Sequence, residues 1–215
     1  MKKLFLAFML ILPLMAAAKS TVDSKYLKGA VPEENGVIVF RKSFSVPGMT
    51  KDQLNSTLYN YINNCLVAPA IHDLRTRIIS DGKEDGMIVA KIEEYMVFKN
   101  RFLNLDRTRF IYQVQASVEG EKVKLAISQI SYYYNEDSEG RNGVTYKGEQ
   151  WITDAESINK KGTGLYPSTA KFRIKTIDRV EQIFEDCMDA FEIAATPQAT
   201  EEAPAKKVRK GIVED

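Results

Sequence analysis

Residues 108–134 constrain this chain most. Phe110, Tyr112, Val114, Ala116 and Val118 alternate with Arg109, Gln113, Gln115 and Ser117, the period of a strand with one buried face. Glu119, Gly120 and Glu121 reverse the chain, and residues 122–134 return with Val123, Leu125 and Ile127 on the core side. Two long strands joined by a tight turn make an antiparallel hairpin. Its apolar side needs a cover, because a two-stranded ribbon alone is marginal in water.

The cover lies on both sides of the hairpin in sequence. Thr50 with Gln53 reads as a capping box that starts a helix at Lys51, and Leu54, Leu58, Tyr61, Ile62 and Cys65 fall on one stripe before Pro69. A second helix begins at Ser168 or Thr169 and reaches about Ala194, with Ile177, Val180, Phe184, Cys187 and Phe191 as its stripe. Further strands are expected at 37–46, 75–80, 87–98 and 144–153; the last contains the only tryptophan, Trp151. In the first, Ile38, Phe40, Phe44 and Val46 oppose Arg41, Ser43 and Ser45. One-faced strands and one-striped helices predict an α+β fold: a curved antiparallel sheet with two helices packed on one face. The other face is then polar and, because sheets twist, concave.

The ends read differently. Lys2 and Lys3, an apolar run over 4–15, and Ala16, Ala17 and Ala18 before Lys19 follow the order of a secretory signal peptide. The apolar run is shorter than the roughly 20 residues a membrane span needs. The division expected is signal peptide 1–18, lead-in 19–35, one domain over 36–194 and a disordered tail over 195–215. The tail is rich in Ala, Thr, Pro, Glu and Lys and carries a basic cluster at Lys206, Lys207, Arg209 and Lys210. Export places the chain in periplasm, at the outer surface or outside the cell. Lys and Arg number 30 against 29 acids; loss of Lys2 and Lys3 leaves a net charge near −1. That balance gives no electrostatic footprint for nucleic acid and favours no anionic membrane surface. Two cysteines remain, Cys65 and Cys187. The favoured reading is two separate buried thiols on helix faces; a bridge between them is the disfavoured one.

Several stretches carry a family likeness: Tyr26-Leu27-Lys28-Gly29-Ala30-Val31-Pro32, Phe44-Ser45-Val46-Pro47-Gly48-Met49-Thr50, Leu105-Asp106-Arg107-Thr108-Arg109, Gln150-Trp151-Ile152-Thr153-Asp154 and Phe172-Arg173-Ile174-Lys175-Thr176-Ile177-Asp178. In order and spacing they resemble a family of exported gut-Bacteroidetes proteins of unknown function, domain of unknown function 4468, with a TATA-binding-protein-like fold. The resemblance spans about 26–194 and implies a curved antiparallel sheet, two helices on its convex side and a Gram-negative envelope. It implies no activity and supplies no functional residues.

Chemistry-bearing patterns are sparse. His72 is the only histidine and adjoins Asp73, but no nucleophile elbow accompanies the pair. Asn135, Asp137, Glu139 and Gly140 mimic half of a calcium loop whose closing acid is replaced by Tyr146. Glu93 and Glu94 are adjacent on a strand and so point to opposite faces. No metal or cofactor is expected. What remains is the polar sheet face, where Arg41, Tyr95, Arg109, Gln113, Lys124 and, from the run 132–134, Tyr132 are candidate ligand-binding residues. Flat aromatics with amides and arginine suit glycan, peptide or protein contacts. The plainer alternative is a solvated face with stabilising cross-strand pairs. The leading expectation is a non-enzymatic binding module that neither spans a membrane nor binds nucleic acid. A hydrolase with scattered carboxylates and a structural partner of an envelope assembly are the alternatives.

Overall fold

A computed structural model describes residues 22–69, 75–102, 104–135 and 142–196. The expected signal segment, His72 and Asp73, the loop over 136–141 and the tail beyond Thr196 lie outside the described residues.

The chain enters through a short turn at Ser24–Tyr26 and strand β1 (Glu33–Glu34), then β2 (Val37–Ser45). Helix α1 (Lys51–Tyr61) opens on the predicted capping box: Thr50 accepts from the Gln53 backbone and the Gln53 side chain accepts from the Thr50 backbone. Strands β3 (Arg77–Asp81), β4 (Met87–Arg101), β5 (Asn104–Glu119), β6 (Lys122–Tyr134) and β7 (Val144–Lys147) follow, then a short helix α2 (Asp154–Ser157) and the long α3 (Ala170–Ala195). Every strand pairing is antiparallel, in the order β1-β2-β6-β5-β4-β3, and β7 pairs with β6 beyond the end of β2. At 26 residues, α3 is about 39 Å long and reaches along the sheet.

Both helices lie on one side of the sheet. Leu54, Leu58 and Ile62 share a single core with Phe172, Ile177, Ile183 and Phe191 and with the inward residues of the strands, among them Ile38, Ile92, Val114 and Ile127. The Tyr61 hydroxyl ties α1 to α3 by donating to the Ile183 carbonyl at 2.7 Å. The α+β layering expected from the sequence is therefore present: an open, curved antiparallel sheet with its helices on one face.

Three local irregularities alter which residues face inward. In β6 the register slips by one between the pairs Ile111↔Ser131 and Gln113↔Ser128, at Gln129 with φ 53°. Such a bulge reverses the facing of everything beyond it. Ile127 and Ile130 both point into the core, and Tyr132 follows them with no exposed surface. In the last turns of α1 the helix widens into a π-turn over Ile62–Val67. The extra residue per turn moves Leu66 into the buried stripe, 4% exposed, where the 3.6-residue period had placed Cys65; Cys65 is exposed and Cys187 buried, both as free thiols. Finally, the strand expected over 144–153 stops at Lys147. Gly148 passes so close to Ile130 that a Cβ would lie 2.9 Å from its side chain, and the chain turns there, which takes Trp151 out of the sheet.

Candidate functional site

Opposite the helices the sheet is open, and the register lays its side chains out in rows across the strands. One row runs Arg77, Lys91, Gln113, Ser128, Val39; the next runs Ser80, Val89, Gln115, Ala126, Arg41; the next Met87, Ser117, Lys124, Ser43. Gln115, Ala126 and Arg41 of the second row and all of the third line a groove of about 580 Å³ that crosses β4, β5, β6 and β2. A single hollow shared by four adjacent strands means that the sheet curves away from its helices. Arg41 is steered by a bidentate pair with Glu34, both bonds at 2.8 Å, and Lys124 is paired with Glu119.

At the other end of the same face sits a second cluster. Tyr95, Arg109 and Tyr133 form one row, with Arg107 beyond. The Arg107 guanidinium lies 4.0 Å over the Tyr95 ring centre, and that of Arg109 lies 6.0 Å from Tyr95 and 5.5 Å from Tyr133. Arg109 also reaches Glu93 at 3.3 Å, and Glu93, 5% exposed, accepts from the Arg75 backbone at 3.0 Å. Gly143 closes over Tyr133; a Cβ there would stand 2.4 Å from the ring.

Of the predicted site residues, Arg41 and Lys124 meet in the groove, Tyr95 and Arg109 meet in the aromatic cluster, and Gln113 lies in one of the two rows between them. Tyr132 does not belong to the face. The Gln129 bulge turns it inward, where it stacks on Phe110 at 5.8 Å and its hydroxyl lies 2.6 Å from that of Thr176. Burial pushes that hydroxyl's pKa up. Its place on the open face is taken by Tyr133. Gln115, Ser117, Ser43 and Met87 were missed, although the alternation of their strands already placed the first three on the polar side. Arg107 was missed as well.

Several other carboxylates hold elements together. Glu94 faces the helices and binds Arg179 through two bonds at 2.8 and 2.9 Å, with the Tyr112 hydroxyl at 3.2 Å. Asp106 takes the Lys171 ammonium at 2.7 Å and the Tyr134 hydroxyl at 2.8 Å. Burial raises its pKa, but those two donors outweigh it and hold the carboxyl below its ordinary value. Arg173 is completely buried; it donates to the carbonyls of Tyr26, Leu27 and Ile152 at 2.6 Å and to Asp154 at 2.7 Å. Among the described residues no three His, Cys, Asp or Glu side chains converge as a metal site would need, and no helix is long and apolar enough to cross a membrane.

The family described as a domain of unknown function (DUF4468) with TBP-like fold matches residues 40–133, which cover the hairpin and most of the open face. The structure of a DUF4468 family protein from Bacteroides ovatus is 34% identical, superposes with a TM-score of 0.72, and covers 79% of this chain and 95% of its own. The chain belongs to the DUF4468 family. A TBP-like protein from Parabacteroides distasonis, 18% identical, shares the fold with a TM-score of 0.61 over 76% of this chain and 97% of its own. No curated protein matches the chain. DUF4468 supplies a fold and no activity; function lies in the chemistry of the face itself.

Proposed function

We propose that this DUF4468 protein is a non-enzymatic binding module, exported across the inner membrane, that holds its ligand against the open face of the sheet. The observation that carries this reading is the groove of about 580 Å³ built across four strands on the side the core does not use. Its lining mixes hydroxyls and an amide (Ser43, Ser117, Gln115) with a cation and an apolar floor (Lys124, Met87, Ala126), the composition of a site that orients a polar ligand. The engagement of Glu93, Glu94, Asp106 and Asp154 in structural ion pairs favours binding over acid–base chemistry. Export is supported by the charged, apolar and small-residue order of residues 1–18.

The test is a thermal-shift screen against glycans and peptides on the wild type and on Ser117→Trp. Ser117 lies on the groove wall away from the core, so the substitution fills the site without touching the packing. A ligand that raises the Tm of the wild type and not of Ser117→Trp supports the reading; equal shifts in both place the ligand elsewhere and overturn it. Export is checked separately: the protein purified from its native host should begin at Lys19.

A second reading, docking by strand addition, is favoured by the outer edge of β4. Strand β3 pairs with it only along Ile88–Lys91, the Thr76 hydroxyl caps Glu93, and among the described residues no strand pairs with the edge from Glu94 onward. Tyr95 and Val97 are exposed there beside α3. Proline at Tyr95, whose backbone points outward as Glu93's does, should block such a partner and leave the β4–β5 ladder intact.

A further inference from the structure

The chain as a whole is almost neutral, with a formal charge of +1, but its charges are not evenly spread. The register assigns every strand residue to a side. Among the described residues, the open face carries Arg41, Arg77, Lys91, Arg107, Arg109, Lys122, Lys124 and Lys147 against Glu34, Glu93 and Glu119. The solvent side of α3 is acidic in contrast, with Asp178, Glu181, Glu185, Asp186, Asp189 and Glu192 against Lys175 and Arg179. Net charge hid this because the two sides cancel. A hollowed face with one excess sign over low-dielectric protein concentrates its field outward.

We infer that the open face takes a linear acidic polysaccharide, a chain whose sugars carry carboxylate or sulfate groups. This rests on the open face being the ligand face. The cations are not gathered round one point. They run from Lys147, opposite Ser131, to Lys122 at the far end of β6, four same-face rows apart, or roughly 27 Å at about 6.7 Å per two residues. A small anion would need a focus; an extended polyanion meets such a track along its length. The groove crosses that track at Arg41 and Lys124, and there Ser43, Ser117 and Gln115 offer partners to sugar hydroxyls. Single-stranded nucleic acid is disfavoured by the rings: both arginines lie over Tyr95, and Arg109 and Gly143 lie against Tyr133, so neither offers the bare platform that bases stack on.

The experiment is calorimetric titration of the mature protein with polygalacturonate oligomers, neutral dextran oligomers and a DNA duplex, at low and physiological salt. Polygalacturonate should bind with an affinity that falls as salt rises. Lys124→Glu and Arg77→Glu should each weaken it about tenfold, while Lys175→Glu on exposed α3 leaves it unchanged; melting curves confirm that all three fold. Equal or tighter binding of the duplex overturns the polysaccharide assignment. Dextran binding that Ser117→Trp abolishes, without polygalacturonate binding, overturns the anionic ligand and keeps the open-face reading. Polygalacturonate binding lost in Lys206→Glu/Lys207→Glu but retained in Lys124→Glu assigns it to the tail and overturns the inference. Absence of binding by polygalacturonate at low salt overturns it outright.

Discussion

At Arg173 a guanidinium is enclosed with no solvent contact, and its donors are spread over Tyr26, Leu27, Ile152 and Asp154. Asp154 in turn accepts from the Gly29 backbone, and the Tyr26 hydroxyl donates to Asp178. Three of the stretches that carried the family likeness, around Tyr26, Trp151 and Phe172, thus meet at one structural node rather than at a ligand. Arg173→Ala leaves three carbonyls and a carboxylate without their donor and should cost roughly 3–5 kcal/mol in urea unfolding. Lysine should not rescue it, since it lacks the planar fork. Amide exchange at residues 26–30 should speed up before that of the sheet. The Asp106 pair predicts an acid dependence. Its carboxyl is depressed, so its contribution is complete above the ordinary range near pH 4 and is lost as pH falls through the lower folded value. Asp106→Asn should therefore cost about 1 kcal/mol at pH 7, and the gap from wild type should close as pH falls through that depressed value. The cysteines separate by environment: burial, with Cys65 nearby adding to it, pushes the Cys187 thiol up to about 12, whereas Cys65 is exposed. Alkylation of the native protein should label Cys65 alone, and both only after unfolding.

Elements with an unbroken period could be read from residues alone. The β5 alternation, the α1 capping box and the α3 stripe all stand as the sequence implies. What could not be read were the places where the period breaks. Neither the bulge at Gln129 nor the π-turn at Ile62–Val67 has a composition signal, because each is settled by long-range fit: one inserts a residue so that Ile127 and Tyr132 both reach the core, the other so that Leu66 does. Two site residues, Tyr132 and Tyr133, exchanged roles for that reason alone, whereas Arg41, Lys124 and Arg109 lay on periodic stretches and kept theirs. The bulge makes its own prediction. Gln129 is exposed and holds φ at 53°, a conformation glycine adopts freely and β-branched residues resist. Gln129→Gly should be neutral or stabilising by up to about 1 kcal/mol, and Gln129→Val should cost about 1–2 kcal/mol, both read from urea midpoints.

In the whole molecule one core joins both helices to the sheet, so unfolding should be a single transition. Trp151 is a built-in reporter, stacked on Tyr146 at 4.1 Å and edge-on to Phe172 at 4.3 Å. Its fluorescence and the far-ultraviolet dichroism should trace one urea curve; two separated midpoints would mean that the lead-in and α2 region melts apart from the sheet. The one-sidedness of the core has a further result. Along each long strand every second side chain is free of the fold's demands, so mutation can rewrite that half of the pattern while the buried half stands still. Aligned relatives should then agree at inward positions such as Tyr112 and Val114 and drift at outward ones such as Gln113 and Gln115. One scaffold would carry many surfaces, each tuned to whatever its bearer meets.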